Sequence, residues 1–285
     1  MRALVNTRDP AAVESEVQAA YQAMFPYADR TFVSKAFFWA QNCFIGNYRD
    51  YQAIDARYHD FEHTLQGTLC MIRLLHGRHV AKAQPELTQR MFKLGLLAIL
   101  LHDTGYLKTK DDTEGTGAKY TLIHVNRSAE FAALLLSEKA FGPKDILAVQ
   151  DMIRCTGVNV DLNVLRFQDE LERTVGFALG TADLLGQMAA SDYVEKLPIL
   201  YQEFAESEQF NAGTKAARAV FSSAQDLIQK TPAFWSKYVM PRVERDFQGL
   251  YHYLNQPYPD GPNYYLKCIE ANIDRVQRML AATPV

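Results

Sequence analysis

The chemistry that this 285-residue sequence could support is concentrated in a few histidines and aspartates. His59 and His63 are four residues apart in Tyr58-His59-Asp60-Phe61-Glu62-His63. On a helix that spacing sets both imidazoles on one face, about one turn apart. One could hold a metal while the other points toward a substrate; two surface histidines sharing a face would look the same. His102-Asp103 directly follows the apolar run Gly95-Leu96-Leu97-Ala98-Ile99-Leu100-Leu101. Next to a buried helix, an imidazole and a carboxylate are costly unless paired, hydrogen-bonded or metal-bound. A His–Asp hydrogen bond or a helix-end cap would meet the same demand. Asp183 interrupts an apolar tract whose Gly180, Ala182 and Gly186 would admit a second element closely, and a solvent-facing carboxylate is its ordinary alternative. Together His63, His102, Asp103 and Asp183 offer two nitrogens and two carboxylates, a mixed set suited to Fe, Mn, Zn, Ni, Co or Mg.

The elements that must position these groups read as helix after helix. Apolar periodicity and breaks predict helices over 11–24, 31–48, 58–79, 86–102, 119–139, 143–156, 170–190 and 192–204. Three more are expected over 216–230, 232–250 and 264–280. The aromatic stripe Phe32, Phe37, Phe38, Trp39 and Phe44 is read mostly as core, and Pro85 as the opener of the helix that ends at His102. The polar stretch 106–116, between Gly105 and Gly117, reads as a loop or lid. The weakly alternating 158–164 reads as loop. With no sustained strand alternation and no solenoid repeat, the expected fold is all-α, one domain over 1–285.

At this point the chain resembles the HD superfamily of metal-dependent phosphohydrolases, which shares its fold with cyclic-nucleotide phosphodiesterases. The ordered matches are His63, the doublet His102-Asp103 and the distal Asp183. The tract from Tyr58 to His63 is similar to a phosphodiesterase segment in which an earlier His acts near the leaving group and a later one binds metal. Met152-Ile153-Arg154-Cys155-Thr156 and Ala182-Asp183-Leu184 also look like the corresponding helical segments. The resemblance implies a phosphodiesterase-like helical bundle with a core at about 55–200 and additional terminal helices in 1–50 and 205–285. It departs after the doublet: Thr104-Gly105-Tyr106-Leu107-Lys108 stands where the phosphodiesterase-like pattern has another His. The implication is therefore phosphoester hydrolysis rather than cyclic-nucleotide hydrolysis in particular.

The expected reaction is metal-assisted attack of water on a phosphate ester, of a nucleotide or another small phosphorylated metabolite. Asp103 would hold the metal and bridge to a second ion if there is one. His59 is the expected proton donor to the leaving oxygen, because an imidazole titrates near neutral pH. His124 is a candidate for a second metal or for a supporting position behind the first. Lys108, Arg127 and Arg154 are candidate phosphate contacts; ordinary solvation or an internal carboxylate would also satisfy them. Two other classes stay open: a non-enzymatic metal-stabilised scaffold or ligand sensor, and a di-iron oxygenase on the same fold. The sequence carries no phosphate loop of the GxxxxGK type, no HExxH helix, no GxSxG elbow and no EF-hand loop.

Composition bounds the rest. A formal net charge of -3 gives no support to an extended nucleic-acid surface. Cys43, Cys70, Cys155 and Cys268 are widely spaced, which fits reduced thiols better than a disulfide framework. No apolar segment near the start resembles a signal core, and the run over 94–101 is too short to span a bilayer. A cytoplasmic protein without membrane contact is the expectation; the oligomeric state does not follow from the sequence.

Overall fold

The computed structural model describes residues 5–212 and 221–282. Among them are ten α-helices and no strand, with only three isolated bridge pairs such as Tyr51 with Thr109. The chain begins with α1 (Pro10–Met24) and α2 (Phe32–Phe44), which pack on the helices that carry the site. Of the aromatic stripe on α2, Phe32, Phe37 and Phe44 are buried and Trp39 is half-buried, whereas Phe38 is 64% exposed.

Four helices form the frame of the site: α3 (Phe61–Val80), α4 (Gln89–Leu101), α5 (His124–Glu138) and α7 (Glu170–Met188), with α6 (Pro143–Arg154) packed against α4, α5 and α7. The starts of three of these are fixed by side-chain caps. Asp60 accepts from the His63 N–H, Thr88 from Met91 and Asp169 from Glu172. The helix ending at His102 therefore opens at Gln89 behind Thr88, not at Pro85, because the threonine hydroxyl supplies the acceptor that the first turn needs. Helix α5 opens later than the 119 expected, after a short 3-10 turn over Gly117–Tyr120.

Helix α4 is buried around most of its circumference, with every residue from Leu94 to Leu101 in the core. Each buried leucine there contributes roughly 1.5–3 kcal/mol relative to exposure. Helices α3 and α7 are packed unusually close. A Cβ on Gly186 would lie 2.8 Å from the Gln66 carbonyl oxygen and 2.9 Å from the Gly67 Cα. Small residues at this crossing let the N-terminal turn of α3 and the second half of α7 face one another, the approach expected from Gly186.

Beyond α7 come α8 (Tyr193–Phe210), α9 (Ala224–Phe234) and α10 (Tyr264–Ala282). The helix expected over 216–230 is present from Ala224; its portion over 216–220 lies outside the described residues. The helix expected over 232–250 is instead broken into π turns at Trp235–Val239 and Arg242–Asp246, then a 3-10 turn at Leu250–Leu254. Pro241 explains the break: it has no N–H to donate and its ring crowds the carbonyl one turn back. Among the described residues no helix is long and apolar enough to cross a membrane.

Candidate metal centre

Each of the four expected ligands comes from a helix end or a helix face held as described above. His63 is the third residue of α3, and its backbone N–H is the one that Asp60 caps at 2.8 Å. His102 is the C-terminal cap of α4, and Asp103 follows it in a turn that leads to a 3-10 segment, Thr104–Tyr106. Asp183 lies in the second half of α7, where Gln187 one turn on donates to its backbone carbonyl at 3.0 Å. The Tyr58 hydroxyl in turn donates to Gln187 Oε1 at 2.8 Å.

The four side chains meet. Nε2 of His63 and Nε2 of His102 each lie 3.2 Å from Asp103 Oδ2 and 3.4 Å from Asp183 Oδ1. His102 and Asp103 are each 1% exposed, yet His102 Nε2 and Asp103 Oδ2 make no hydrogen bond. Orphaned buried polar atoms of this kind cost roughly 1–3 kcal/mol each, more when charged. With metal–ligand bonds of about 2.0–2.2 Å, neighbouring ligand atoms stand about 3.0–3.5 Å apart. The observed 3.2–3.4 Å are such edges, so these residues fit a divalent cation.

The ring tautomers suit that use. His102 Nδ1 lies 2.7 Å from the Ile99 carbonyl oxygen, which can only accept, so Nδ1 carries a proton and Nε2 is the nitrogen that could bind a cation once its own proton is released. Burial disfavours charge on His63, but the adjoining carboxylates of Asp103 and Asp183 outweigh it and raise the imidazole to about 9. His102 is raised well above its ordinary value in the same balance. Burial works against the ionised forms of Asp103 and Asp183 too, and the two imidazoles nevertheless hold both carboxyls low. The two carboxylates call for positive charge beside them, which the protonated rings of His63 and His102 supply and a divalent cation would supply in their place.

His59 and His124 complete the cluster from outside. His59 is not on α3; it precedes the capping Asp60, so the four-residue helical spacing read from the sequence does not apply. The cap turns the chain so that the His59 and His63 rings still meet, 5.2 Å between centroids. His59 Nδ1 is 2.6 Å from Glu203 Oε2 on α8, and the other Glu203 oxygen accepts from the Tyr58 N–H at 2.7 Å. Burial would raise the Glu203 carboxyl, but His59 and the backbone donors hold it below its ordinary value. His124 Nδ1 faces the Thr121 carbonyl at 2.7 Å, and its Nε2 is 3.8 Å from Asp103 Oδ1, the oxygen turned away from the closest contacts with His63 and His102. Burial pushes His124 below its ordinary value against the pull of Asp103, which favours the neutral ring. Its approach depends on Gly105, where a Cβ would lie 2.0 Å from the His124 carbonyl oxygen.

The three cationic candidates are engaged by protein groups. Lys108 is buried, with Nζ 3.0 Å from Asp55 Oδ2 and donating to the Gly115 carbonyl at 2.6 Å. Arg127 donates to the carbonyls of Gly105 and Leu107, both at 2.8 Å, and covers the Tyr120 ring. It braces the turn that presents Asp103. Arg154 donates to Asp151 at 2.7 Å. Sequence reasoning missed Glu203, Gln187 and the part played by Tyr106, which it assigned to the polar loop. Tyr106 and Leu107 are both fully buried. For Glu203 no local signal exists, since a glutamate on a half-polar helix is ordinary.

Fold and site thus define an all-helical protein with buried His/Asp groups able to hold a metal ion. The chain belongs to the Npun_R2479-like family, whose model matches residues 11–265. That match takes in both flanks of the site-bearing helices. A search of curated proteins gives no match.

Proposed function

We propose that this protein is a metal-dependent phosphohydrolase of the HD type, acting on the phosphate ester of a nucleotide or another small phosphorylated metabolite. The observation that carries the reading is the convergence of His63, His102, Asp103 and Asp183 on one point, with His102 Nε2 and Asp103 Oδ2 buried and unsatisfied. These four residues would hold the ion, identity among Fe, Mn, Ni, Co, Zn and Mg being open. When bound, a divalent ion supplies Lewis acidity toward phosphoryl oxygens and activates water.

The chain's own residues supply the rest. A ring nitrogen of His59 lies within 4.8 Å of ligand atoms of His63 and Asp103, while its Nδ1 is held by Glu203. It is suited to give a proton to the departing oxygen, and Glu203 fixes the position of Nδ1 and keeps a proton on it. Asp103 uses one oxygen toward His63 and His102 and turns the other toward His124, so a second cation beside His124 is compatible with this arrangement. The pair His59–Glu203 supports hydrolysis over a purely structural metal if His63, His102, Asp103 and Asp183 hold the ion, because a scaffold would need no oriented acid beside them. The test is a screen of purified protein against nucleotide monophosphates, cyclic nucleotides, nucleoside triphosphates and phosphonates, each with Mn, Fe, Ni, Co and Mg. Metal-dependent release of phosphate or nucleoside is expected. Metal bound tightly with no turnover in any combination would favour the scaffold or sensor instead.

A further inference from the structure

Tyr106 touches both outer imidazoles of the site. Its fully buried ring lies nearly parallel to His59, with centroids 4.5 Å apart and planes at 14°. It lies likewise against His124, at 4.7 Å and 23°. The two imidazoles are 6.0 Å from each other, so the three rings form a triangle, not a stack with Tyr106 in the middle. Tyr106 is itself tied to the backbone of Asp103: its N–H donates to the Asp103 carbonyl at 3.1 Å. On the far side its carbonyl abuts Gly117, where a Cβ would lie 2.0 Å from that oxygen.

Neither imidazole has comparable support from its own backbone. His59 lies ahead of the α3 cap and His124 opens α5, and each Nδ1 has one partner, Glu203 or the Thr121 carbonyl. A single hydrogen bond fixes where a ring nitrogen sits but leaves the ring free to tilt about the N···O line. A face contact removes that tilt. Misplacing a reacting group by about 1 Å can cost about 10²-fold in rate.

We propose that Tyr106 is a positioning residue whose ring face sets the planes of His59 and His124 relative to the Asp103 carboxylate. Its geometric role stands on the ring contacts, while its effect on rate rests on the hydrolytic reading above. The ring makes both contacts, so Tyr106→Phe preserves the role and Tyr106→Leu removes it.

The experiment compares the zinc-loaded full chain, wild type against Tyr106→Phe and Tyr106→Leu, by crystallography, metal content and hydrolysis of phenyl and 4-nitrophenyl phosphate under the best activating metal. If the leucine variant does not fold, Tyr106→Met, unbranched and adaptable, takes its place. In the leucine variant the planes of His59 and His124 should depart from the wild type by more than about 20°, the tolerance of a productive site. Metal content should stay unchanged. Hydrolysis of phenyl phosphate, whose leaving group needs a proton, should fall by about 10–10²-fold, and that of the nitrophenyl ester by less than about threefold. The phenylalanine variant should match the wild type in all four. Unmoved imidazoles in the leucine variant would overturn the proposal, as would equal losses for both esters. A wild type inert toward every phosphate ester would sink the hydrolytic reading and the rate effect with it, while the crystallographic comparison still decides whether Tyr106 sets the rings.

Discussion

The His/Asp cluster and the polar loop that follows it treat buried charge in opposite ways. Between Lys108 and Lys119 the principal charges close on protein: Lys108 on Asp55, Lys119 on Asp112, and Asp112 on the Tyr120 hydroxyl. Thr116 donates its hydroxyl to Glu206 at 2.6 Å, and Gly117 donates its N–H to Asp55 at 2.7 Å. This loop is tied to the body of the protein at several points. Five residues before it, the cluster brings two carboxylates and two imidazoles together and leaves His102 Nε2 and Asp103 Oδ2 without a hydrogen bond. A fold that pairs the main charges of one polar region and leaves two buried atoms of its neighbour without a hydrogen bond makes the neighbour a place that could hold an ion.

The largest expected break in this contrast is Asp103→Ala, which removes the carboxylate shared by His63, His102 and His124. Bound metal and activity should be lost together, read as metal content after chelator competition. Retention of full metal occupancy would count against the assignment. Next comes the division between His63 and His59. His63→Ala should lose metal, whereas His59→Ala should keep most of it and slow hydrolysis by about 10²–10⁴-fold, with the penalty shrinking for an acidic leaving group. Glu203→Gln should follow the His59 pattern more mildly, by about 10–100-fold, since it only orients that ring.

The contrast also explains what the sequence could and could not disclose. His102-Asp103 was legible because a charged doublet at the end of an apolar helix has few cheap solutions, and Asp183 because it interrupts a run of small and apolar residues. His59 is expected beside His63 as the proton donor, but the reason, a shared helix face, does not hold. The spacing suggested a shared helix face, but Asp60 caps α3 after His59, and the contact arises from the turn. Glu203 was not legible, since its role depends on α8 crossing above residues 144 positions earlier. The loop looked like a lid because its composition is polar; that Lys108, Asp112 and Lys119 close on protein groups is a fact of tertiary packing. Helix positions were recovered from periodicity, and errors gathered where a proline or a cap decided the boundary, as at Thr88 and Pro241.

On the loop side the expected effects are smaller and lie in stability, not metal. Lys108→Met should lower unfolding free energy by about 1–3 kcal/mol, because it leaves the partly exposed Asp55 and the Gly115 carbonyl short of a donor. Metal content should not change, and denaturant unfolding of both loaded proteins checks this. If Lys108→Met instead strips metal, the loop and the cluster are coupled rather than separable.

The smallest effect concerns acid. Glu203 has its folded value depressed below the ordinary 4.5, so it contributes stability above that value and loses it as pH falls through the depressed one. The stability gap between wild type and Glu203→Gln should therefore be widest near neutral pH and narrow as the pH drops below about 4.5. A gap independent of pH would mean that the His59–Glu203 contact stabilises the fold without its charge.

His63, His102, Asp103 and Asp183 are proposed to share one divalent ion. Anomalous diffraction from crystals of the full chain grown with Mn²⁺ tests it most directly. A peak is expected within bonding distance of both Nε2 atoms and of one oxygen from each aspartate, about 2.0–2.3 Å away. Manganese found only elsewhere, with the His and Asp side chains unmoved and nothing between them, would contradict it.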